Sequence, residues 1–368
     1  MAAFQTLQYK SLKDGTPVLL DIYPPTRVSN NSATVPAVVY FHGGALIVGN
    51  RRDGIPTWLL SRVAALGYAF ISADYRLIPP SNAHAILEDV QDLHAFLPSI
   101  EVTVPSEDDV DSKAQKVKID TEALAVAGSS SGAFLAFLAA MHWKSKPKAV
   151  LSIYGMSGDF LMPLYLTPSP MAANFDKPEL KDFVYPFPSG PLKEVADWSL
   201  THIPAGHSSN PRSGLPPLYT LSGKYLDYFT GDHEPSFSRV VEEAYKVYAE
   251  TKENGIVDPT SESFVEAFKA AIPEHHIPLF PQLGVTSSWP PAVLLHGNAD
   301  IMVPFQESKT MAGLLNNAGV PVKFIEFEGK DHLFDYDPTA EATYTKEFDA
   351  VGEFLKKYIE SILNTPEN

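Results

Sequence analysis

Short apolar runs alternate with segments of helical periodicity along most of this chain, and this alternation restricts the fold more than any other feature. Ala37–Phe41, Tyr68–Ala73 and Ala149–Tyr154 are rich in β-branched and aromatic side chains, which is typical of buried strands. The segments between strands, such as Ile55–Leu66 and Ala83–Leu97, carry apolar residues at helical spacing. Strands that alternate with helices of this length predict an α/β fold with a doubly wound, mainly parallel sheet.

Further elements continue this pattern. The other predicted strands are Phe4–Tyr9, Pro17–Tyr23, Leu124–Ala127, Ala292–His296 and Val322–Phe327. The other predicted helices are Ala133–His142, Gln306–Asn317 and Ala342–Ile362. The charged stretch Glu101–Lys118 is predicted to be a surface loop.

One long segment interrupts the alternation. Residues 156–290 hold 17 of the 32 prolines and many aromatic side chains, and a strand inside a sheet does not tolerate that proline density. We therefore predict a core formed by residues 1–155 and 291–368, and an inserted lid, residues 156–290, that includes a helix at Ser238–Glu253. The alternative is a surface insertion with no part in function.

Composition excludes several classes of function. The formal net charge is −16 and Lys and Arg do not cluster, so nucleic acid and anionic membrane surfaces are not expected as partners. The absence of cysteine excludes disulfides, thiolate metal sites and a cysteine nucleophile. The N-terminus resembles no secretory signal and no apolar stretch has the character of a membrane span, so we expect a cytoplasmic protein, either a monomer or a homodimer.

The first motif with chemical meaning is Gly128-x-Ser130-x-Gly132. A serine nucleophile must stand clear of the sheet on a tight turn from strand to helix, and small residues on either side let the backbone pack closely. Here the motif follows a predicted strand and opens an apolar helix, which favours a nucleophilic Ser130 over an ordinary serine-rich turn.

A second motif, His42-Gly43-Gly44-Ala45, directly follows a predicted buried strand. Acyl transfer places negative charge on the former carbonyl oxygen, and backbone N–H donors held in place stabilise that charge. We predict an oxyanion hole formed by the N–H groups of Gly44 and Ala45, with Gly43 as a further candidate and Ser131 as the donor beside the nucleophile.

The third signal is the pair Asp300 and His332, each on a loop that follows a predicted strand. With Ser130 they stand in the chain order serine, acid, histidine, and a carboxylate there can fix the tautomer of the histidine. His332 is therefore the predicted base and Asp300 the residue that orients it. Rival candidates are the carboxylates Asp331, Asp335 and Asp337 and the imidazole of His296, which we expect to brace the loop of Asp300.

These motifs resemble the hormone-sensitive-lipase-like group of α/β-hydrolases. Its H-G-G-G, D-Y-R-L and G-D-S-A-G motifs stand here as His42–Ala45, Asp74–Leu77 and Gly128–Gly132. The resemblance covers about residues 1–155 and 291–365 and implies the α/β-hydrolase fold and esterase activity on carboxylic esters, without metal or organic cofactor. It also implies that Asp74 and Arg76 are structural.

The sequence departs from the pattern of that group at two positions. Ala45 replaces the last glycine of the oxyanion motif, which is unfavourable if the backbone there needs a positive φ angle. Ser129 replaces the aspartate beside the nucleophile and removes a negative charge.

The sequence thus predicts a serine hydrolase that cleaves esters of a small or medium apolar molecule through an acyl-enzyme. Two alternatives stay open. One is a non-hydrolytic enzyme on the same scaffold, such as an acyltransferase, cyclase, lyase or dehydratase that acts on a natural product. The other is a ligand-binding receptor without catalysis.

Overall fold

A computed structural model describes residues 3–26, 28, 33–104, 115–156, 158–175, 177–187 and 210–360. The described strands are β1 Gln5–Ser11, β2 Pro17–Tyr23, β3 Thr34–Phe41, β4 Ala69–Ala73, β5 Glu101–Val104, β6 Gln115–Ser129, β7 Ala149–Ile153, β8 Ala292–Gly297 and β9 Val322–Phe327. They form one nine-stranded sheet in the order β1-β2-β4-β3-β6-β7-β8-β9, with β5 paired to β6. Strands β3, β4 and β6 to β9 run parallel, whereas β1, β2 and β5 pair antiparallel with their neighbours. The predicted doubly wound, mainly parallel sheet is confirmed.

The strand bounds follow the apolar runs of the sequence closely. The helices are α1 Thr57–Ala65, α2 Ala83–Phe96, α3 Gly132–His142, α4 Pro163–Leu166, α5 Leu215–Leu221, α6 Tyr225–Thr230, α7 Phe237–Glu250, α8 Glu262–Ala271, α9 Phe305–Asn317, α10 Ala340–Thr343 and α11 Thr345–Glu360.

Helices cover both faces of the sheet and create two hydrophobic cores. On one face α1 and α11 pack together, and the rings of Trp58 and Phe348 stack with centroids 4.2 Å apart. On the other face α2 and α3 bury residues such as Val90 and Leu138. Helix α3 is apolar all round because the insert covers the side that faces away from the sheet.

The prediction of a surface loop over Glu101–Lys118 is wrong at both ends. Glu101–Val104 and the first residues of β6 form an antiparallel ladder in which exposed and buried side chains alternate. Val117 and Ile119 point into the core while charged neighbours face solvent. Such alternation is typical of a half-buried strand, and the charged residues concealed it. The middle of the stretch lies outside the described residues.

Between β7 and β8 the chain leaves the sheet, and its described residues up to Pro290 form α4 to α8 and several 3₁₀ turns. The helix predicted at Ser238–Glu253 is α7, shifted by one residue at its start and ending at Glu250. Among the described residues, no helix combines the length and apolar character that a membrane crossing requires. The assignment of this insert as a lid stays a prediction.

Candidate active site

Ser130 lies on the turn between β6 and α3 in a left-handed conformation with a φ angle of 51°. Its backbone is fixed on both sides, because its N–H donates to the carbonyl of Ile153 at 2.9 Å and its carbonyl accepts from the N–H of Met156 at 2.9 Å. A serine held with positive φ is strained, and such strain is typical of a nucleophile presented above a sheet. The side chain of Ser130 is only half-buried.

Only glycine fits at positions 128 and 132 of this motif, because a Cβ atom at either position would collide with a backbone carbonyl oxygen. A Cβ on Gly128 would lie 2.1 Å from the carbonyl oxygen of Gly132, and a Cβ on Gly132 would lie 2.0 Å from that of Phe41. Both distances are far below a van der Waals contact. The predicted tight turn from strand to helix is therefore present at Ser130.

The glycine-rich loop after β3 lies directly against this turn. A Cβ on Gly43 would lie 3.1 Å from the Cβ of Ser130. Gly44 has a φ angle of 115°, and Ala45 continues the left-handed path with a φ angle of 56°. The alanine that replaces the last glycine of the family motif is thus strained by its backbone conformation.

The predicted oxyanion donors have no protein hydrogen-bond partner among the described residues. Among the described residues, no hydrogen bond to another protein group uses the N–H of Gly43, Gly44, Ala45 or Ser131. Gly43, Gly44 and Ala45 are half-buried and Ser131 is buried, so these N–H groups beside the serine are available to an anionic oxygen. The start of α3 adds the positive end of a helix dipole. Their role as an oxyanion hole stays a prediction.

Asp300 and His332 meet as predicted. The Nδ1–H of His332 donates to Oδ2 of Asp300 at 2.6 Å, and both side chains are buried, with 5% and 0% of the side-chain surface exposed. Because Nδ1 carries the proton, the lone pair of a neutral ring is on Nε2. That nitrogen is the one that a base at this position would use.

A second histidine supports the carboxylate. Nε2 of His296 lies 3.2 Å from Oδ2 of Asp300 and 3.0 Å from the carbonyl of Val303, so Nε2 is the donor and Nδ1 accepts from the hydroxyl of Ser308. Burial alone would raise the pKa of Asp300, but hydrogen bonds from His296 and His332 outweigh it and hold that pKa well below its usual range. Asp300 is therefore ionised.

The rival carboxylates have other partners. Asp331 accepts the backbone N–H groups of Ile301 and His332, and Asp337 accepts that of Thr339. Neither orients the ring of His332, because Asp300 alone among them bonds to it.

The third rival, Asp335, organises the surroundings of His332. It accepts from the indole N–H of Trp58 at 2.9 Å and from the hydroxyl of Tyr154 at 2.8 Å. The ring of Tyr154 in turn packs on the ring of His332, with centroids 4.6 Å apart. No local motif marks Tyr154 and Trp58, so the sequence analysis missed them.

Tyr154 also links His332 to Ser130, since it directly follows Ile153, whose carbonyl accepts the N–H of Ser130.

Among the described residues, the hydroxyl of Ser130 and the ring of His332 form no hydrogen bond. Catalytic hydrogen bonds of this kind often form only when substrate is bound. The structure therefore brings Asp300 to His332 and the glycine loop to Ser130, and places both pairs at the end of β7.

His42 shapes the glycine loop. Its ring stacks on Tyr75 with centroids 4.3 Å apart, and its Nδ1 lies 2.7 Å from the carbonyl of Gly43. Burial lowers the pKa of His42 to about 4, so the ring is neutral at pH 7.

The two charged residues of the D-Y-R-L segment are structural, as the resemblance implies. Asp74 accepts from the backbone N–H and the guanidinium of Arg51, both at 2.7 Å. Arg76 bonds to Asp89 of α2 and ties the end of β4 to that helix.

The insert contacts the glycine loop through Tyr225, at the start of α6. Its hydroxyl donates to the carbonyl of Ala45 at 3.1 Å. Aromatic rings of the insert also pack on α3 just after the nucleophile, where the centroid of Phe134 lies 5.5 Å from Phe160 and 5.4 Å from Phe229. Tyr225 is a second contact that the sequence analysis missed.

We predict that Tyr225→Phe lowers kcat about fivefold for any ester that the protein cleaves, because the strained peptide of Ala45 loses a hydrogen bond worth about 1 kcal/mol. Tyr219→Phe is the matched control, since that hydroxyl bonds to the carbonyl of Phe183 inside the insert. Steady-state kinetics and thermal unfolding of both variants distinguish a positioning role from a structural one. Equal losses of kcat in the two variants would contradict the prediction.

Known proteins share this architecture. The BD-FAE family model matches residues 20–153, and the prolyl oligopeptidase family model matches residues 243–361. The structure of esterase 2 from Thermogutta terrifontis, phosphonylated by sarin, is 15% identical in sequence, covers 96% of this chain and 95% of its own, and superposes with a TM-score of 0.54. The chain has the α/β-hydrolase fold. This fold is the one that the resemblance of its motifs to the hormone-sensitive-lipase-like group implies.

Curated relatives of the chain are of two kinds. A non-reducing polyketide synthase of Emericella nidulans is 26% identical over 97% of the chain, which corresponds to 14% of that protein. A probable carboxylesterase of Phoma sp. is 26% identical over 40% of the chain and 45% of its own length. The chain therefore spans about a seventh of the length of the polyketide synthases it matches.

Proposed function

We propose that this protein is a serine carboxylesterase that cleaves an ester of a small or medium apolar molecule through an acyl-enzyme. The observation that carries the proposal is the hydrogen bond of 2.6 Å between His332 and the buried Asp300. It leaves Nε2 of the imidazole as the available base, at the end of the sheet where Ser130 stands on its strained turn.

In the proposed reaction, Nε2 of His332 takes the hydroxyl proton of Ser130 while Oγ bonds to the acyl carbon. The carbonyl oxygen becomes an anion, which the N–H groups of the glycine loop and of Ser131 stabilise. The imidazolium then returns the proton to the leaving alcohol as the ester bond breaks. Water attacks the acyl-enzyme by the same route, and a carboxylic acid and free Ser130 result.

An apolar substrate fits the side chains around the pair. Ile301 and Met302, next to Asp300, are 84% and 65% exposed, and Leu333, next to His332, is 47% exposed. Exposed apolar side chains grouped around a reactive pair support contact with an apolar ligand. The contacts of the insert with Ala45 and α3 support a role for it as a lid over this site.

A second candidate function is release of an acyl group made by polyketide synthesis, either to water or to a nucleophile within the substrate. Its support is the match of nearly the whole chain to one segment of several fungal polyketide synthases, among them a 5-methylorsellinic acid synthase of Aspergillus terreus. The same serine, histidine and N–H donors would serve this reaction, because it also passes through an acyl-enzyme.

Paired substrates distinguish these functions. We expect p-nitrophenyl esters of medium acyl length to be hydrolysed with a kcat/KM about tenfold or more above that of long-chain esters. The second assay uses N-acetylcysteamine thioesters of the same acids and of hydroxylated benzoic acids. Turnover of the aromatic thioesters with negligible turnover of the oxygen esters would replace esterase activity with the second function.

A receptor without catalysis predicts a different result. A fluorophosphonate probe reacts with a serine that a neighbouring base activates. We expect the full chain to be labelled. No labelling and no turnover of either substrate series would overturn both catalytic proposals and favour the receptor.

A further inference from the structure

A cluster of three histidines and one carboxylate lies where the insert meets the core, apart from the candidate active site. Asp232 follows α6, His275 and His276 lie in the 3₁₀ turn Glu274–Leu279, and His84 lies in the first turn of α2. We call these four residues the histidine cluster.

Short contacts connect the histidine cluster. Nε2 of His276 lies 2.9 Å from Oδ2 of Asp232, and Nδ1 of His276 lies 2.8 Å from Nε2 of His84. The ring centroids of His275 and His276 are 3.9 Å apart. The ligand atoms that Asp232, His275 and His276 can offer all lie within 4.8 Å of one another.

Two imidazole nitrogens and one carboxylate oxygen suit a divalent cation of intermediate hardness, such as zinc. Zinc prefers imidazole nitrogen and carboxylate oxygen at about 2.0 to 2.2 Å, which places neighbouring ligand atoms about 3.3 to 3.6 Å apart in a tetrahedron. The ligand atoms that are farthest apart, at up to 4.8 Å, would have to approach each other by about 1 Å to bind one zinc ion. His275 and Asp232 can move, because both are exposed and half of the Asp232 side chain is open to solvent.

His276 is the ligand whose position is already fixed by burial. It is 1% exposed, and His84 contacts the ring nitrogen that faces away from Asp232. A ligand histidine in a zinc site donates its other N–H to a neighbouring acceptor, which fixes the ring. With zinc on Nε2, the proton of His276 resides on Nδ1 and donates to Nε2 of His84, so both rings stay neutral and no net proton is released.

We propose that Asp232, His275 and His276 bind one zinc ion, that His84 orients His276, and that water completes the tetrahedron. The ion joins two parts of the insert that lie far apart in sequence and holds them at the start of α2. This role is structural and independent of the proposed ester hydrolysis.

The test uses the tag-free full chain, treated with a chelator and then titrated with zinc chloride in a calorimeter. We expect saturable binding of one ion per chain and a rise in Tm on zinc addition that magnesium chloride does not reproduce. Asp232→Asn and His275→Ala are each expected to weaken zinc binding at least tenfold. Both side chains are exposed, so these variants are expected to fold normally.

Two further variants complete the design. His84→Gln is expected to weaken binding about tenfold, the usual effect of removing a residue that orients a ligand. His94→Gln is the control, since that histidine lies on the same helix but stacks on Trp143. Failure of the wild-type chain to bind zinc saturably, or unchanged affinity in Asp232→Asn and His275→Ala, would overturn the site and leave a hydrogen-bonded junction.

Discussion

Ser130→Ala is expected to lower kcat for ester hydrolysis by about 10³- to 10⁶-fold while KM changes little. In the proposed reaction the hydroxyl of Ser130 forms the acyl-enzyme, and this residue lies on a strained turn with a φ angle of 51°. The change removes one oxygen from a half-buried side chain, so Tm is expected to stay within a few degrees. Steady-state kinetics with p-nitrophenyl esters and a thermal unfolding curve measure both quantities.

Ser129→Ala is the matched control for that variant. Ser129 precedes the proposed nucleophile, but it is buried and its hydroxyl lies 2.6 Å from that of Tyr40. We expect this variant to lose some stability and to keep kcat within about tenfold of the wild type. A loss of kcat in Ser129→Ala as large as that in Ser130→Ala would contradict the assignment of the nucleophile.

The second large effect is expected for Asp300→Asn, which should lower kcat by about 10⁴-fold. An amide can offer its N–H₂ to Nδ1 of His332 and so favour the tautomer with its proton on Nε2, where it cannot accept the proton of Ser130. The amide oxygen can still accept the N–H groups of Met302 and Val303, which Asp300 now binds at 2.8 Å, so the loop is expected to keep its shape.

Asp331→Asn is the control for this change. Asp331 is the sequence neighbour of His332, yet one of its oxygens accepts only backbone N–H groups, from Ile301 and His332 itself. An asparagine oxygen accepts both equally well, so we expect kcat within a few-fold of the wild type. If Asp331→Asn fell as far as Asp300→Asn, the orienting role would not belong to Asp300 alone.

The parallel sheet and the pairing of Asp300 with His332 could be predicted because both depend on short-range patterns. Apolar runs mark the strands, and residues that follow adjacent parallel strands emerge at the same edge of the sheet. The loops of this pair even touch, since a Cβ on Gly297 would lie 2.2 Å from the carbonyl oxygen of Lys330. The catalytic roles of the predicted residues, and the division into core and lid, remain predictions.

Other parts of the site could not be predicted because they depend on contacts between distant residues. Tyr154 meets Asp335, 181 positions away, and Tyr225 meets Ala45, 180 positions away. Neither pair belongs to a motif, and single tyrosines in an aromatic insert cannot be ranked by sequence alone. The start of β6 was missed for a different reason, since its charged residues concealed the alternation that buries Val117 and Ile119.

The most direct test is to find the residue that carries the acyl group. A fluorophosphonate phosphonylates an activated serine and mimics the first step of the reaction. Mass spectrometry of the digested adduct is predicted to place a single phosphonyl group on Ser130, at a rate that falls by several orders of magnitude in His332→Ala. A modification on another residue, or labelling of Ser130 that does not depend on His332, would contradict the account.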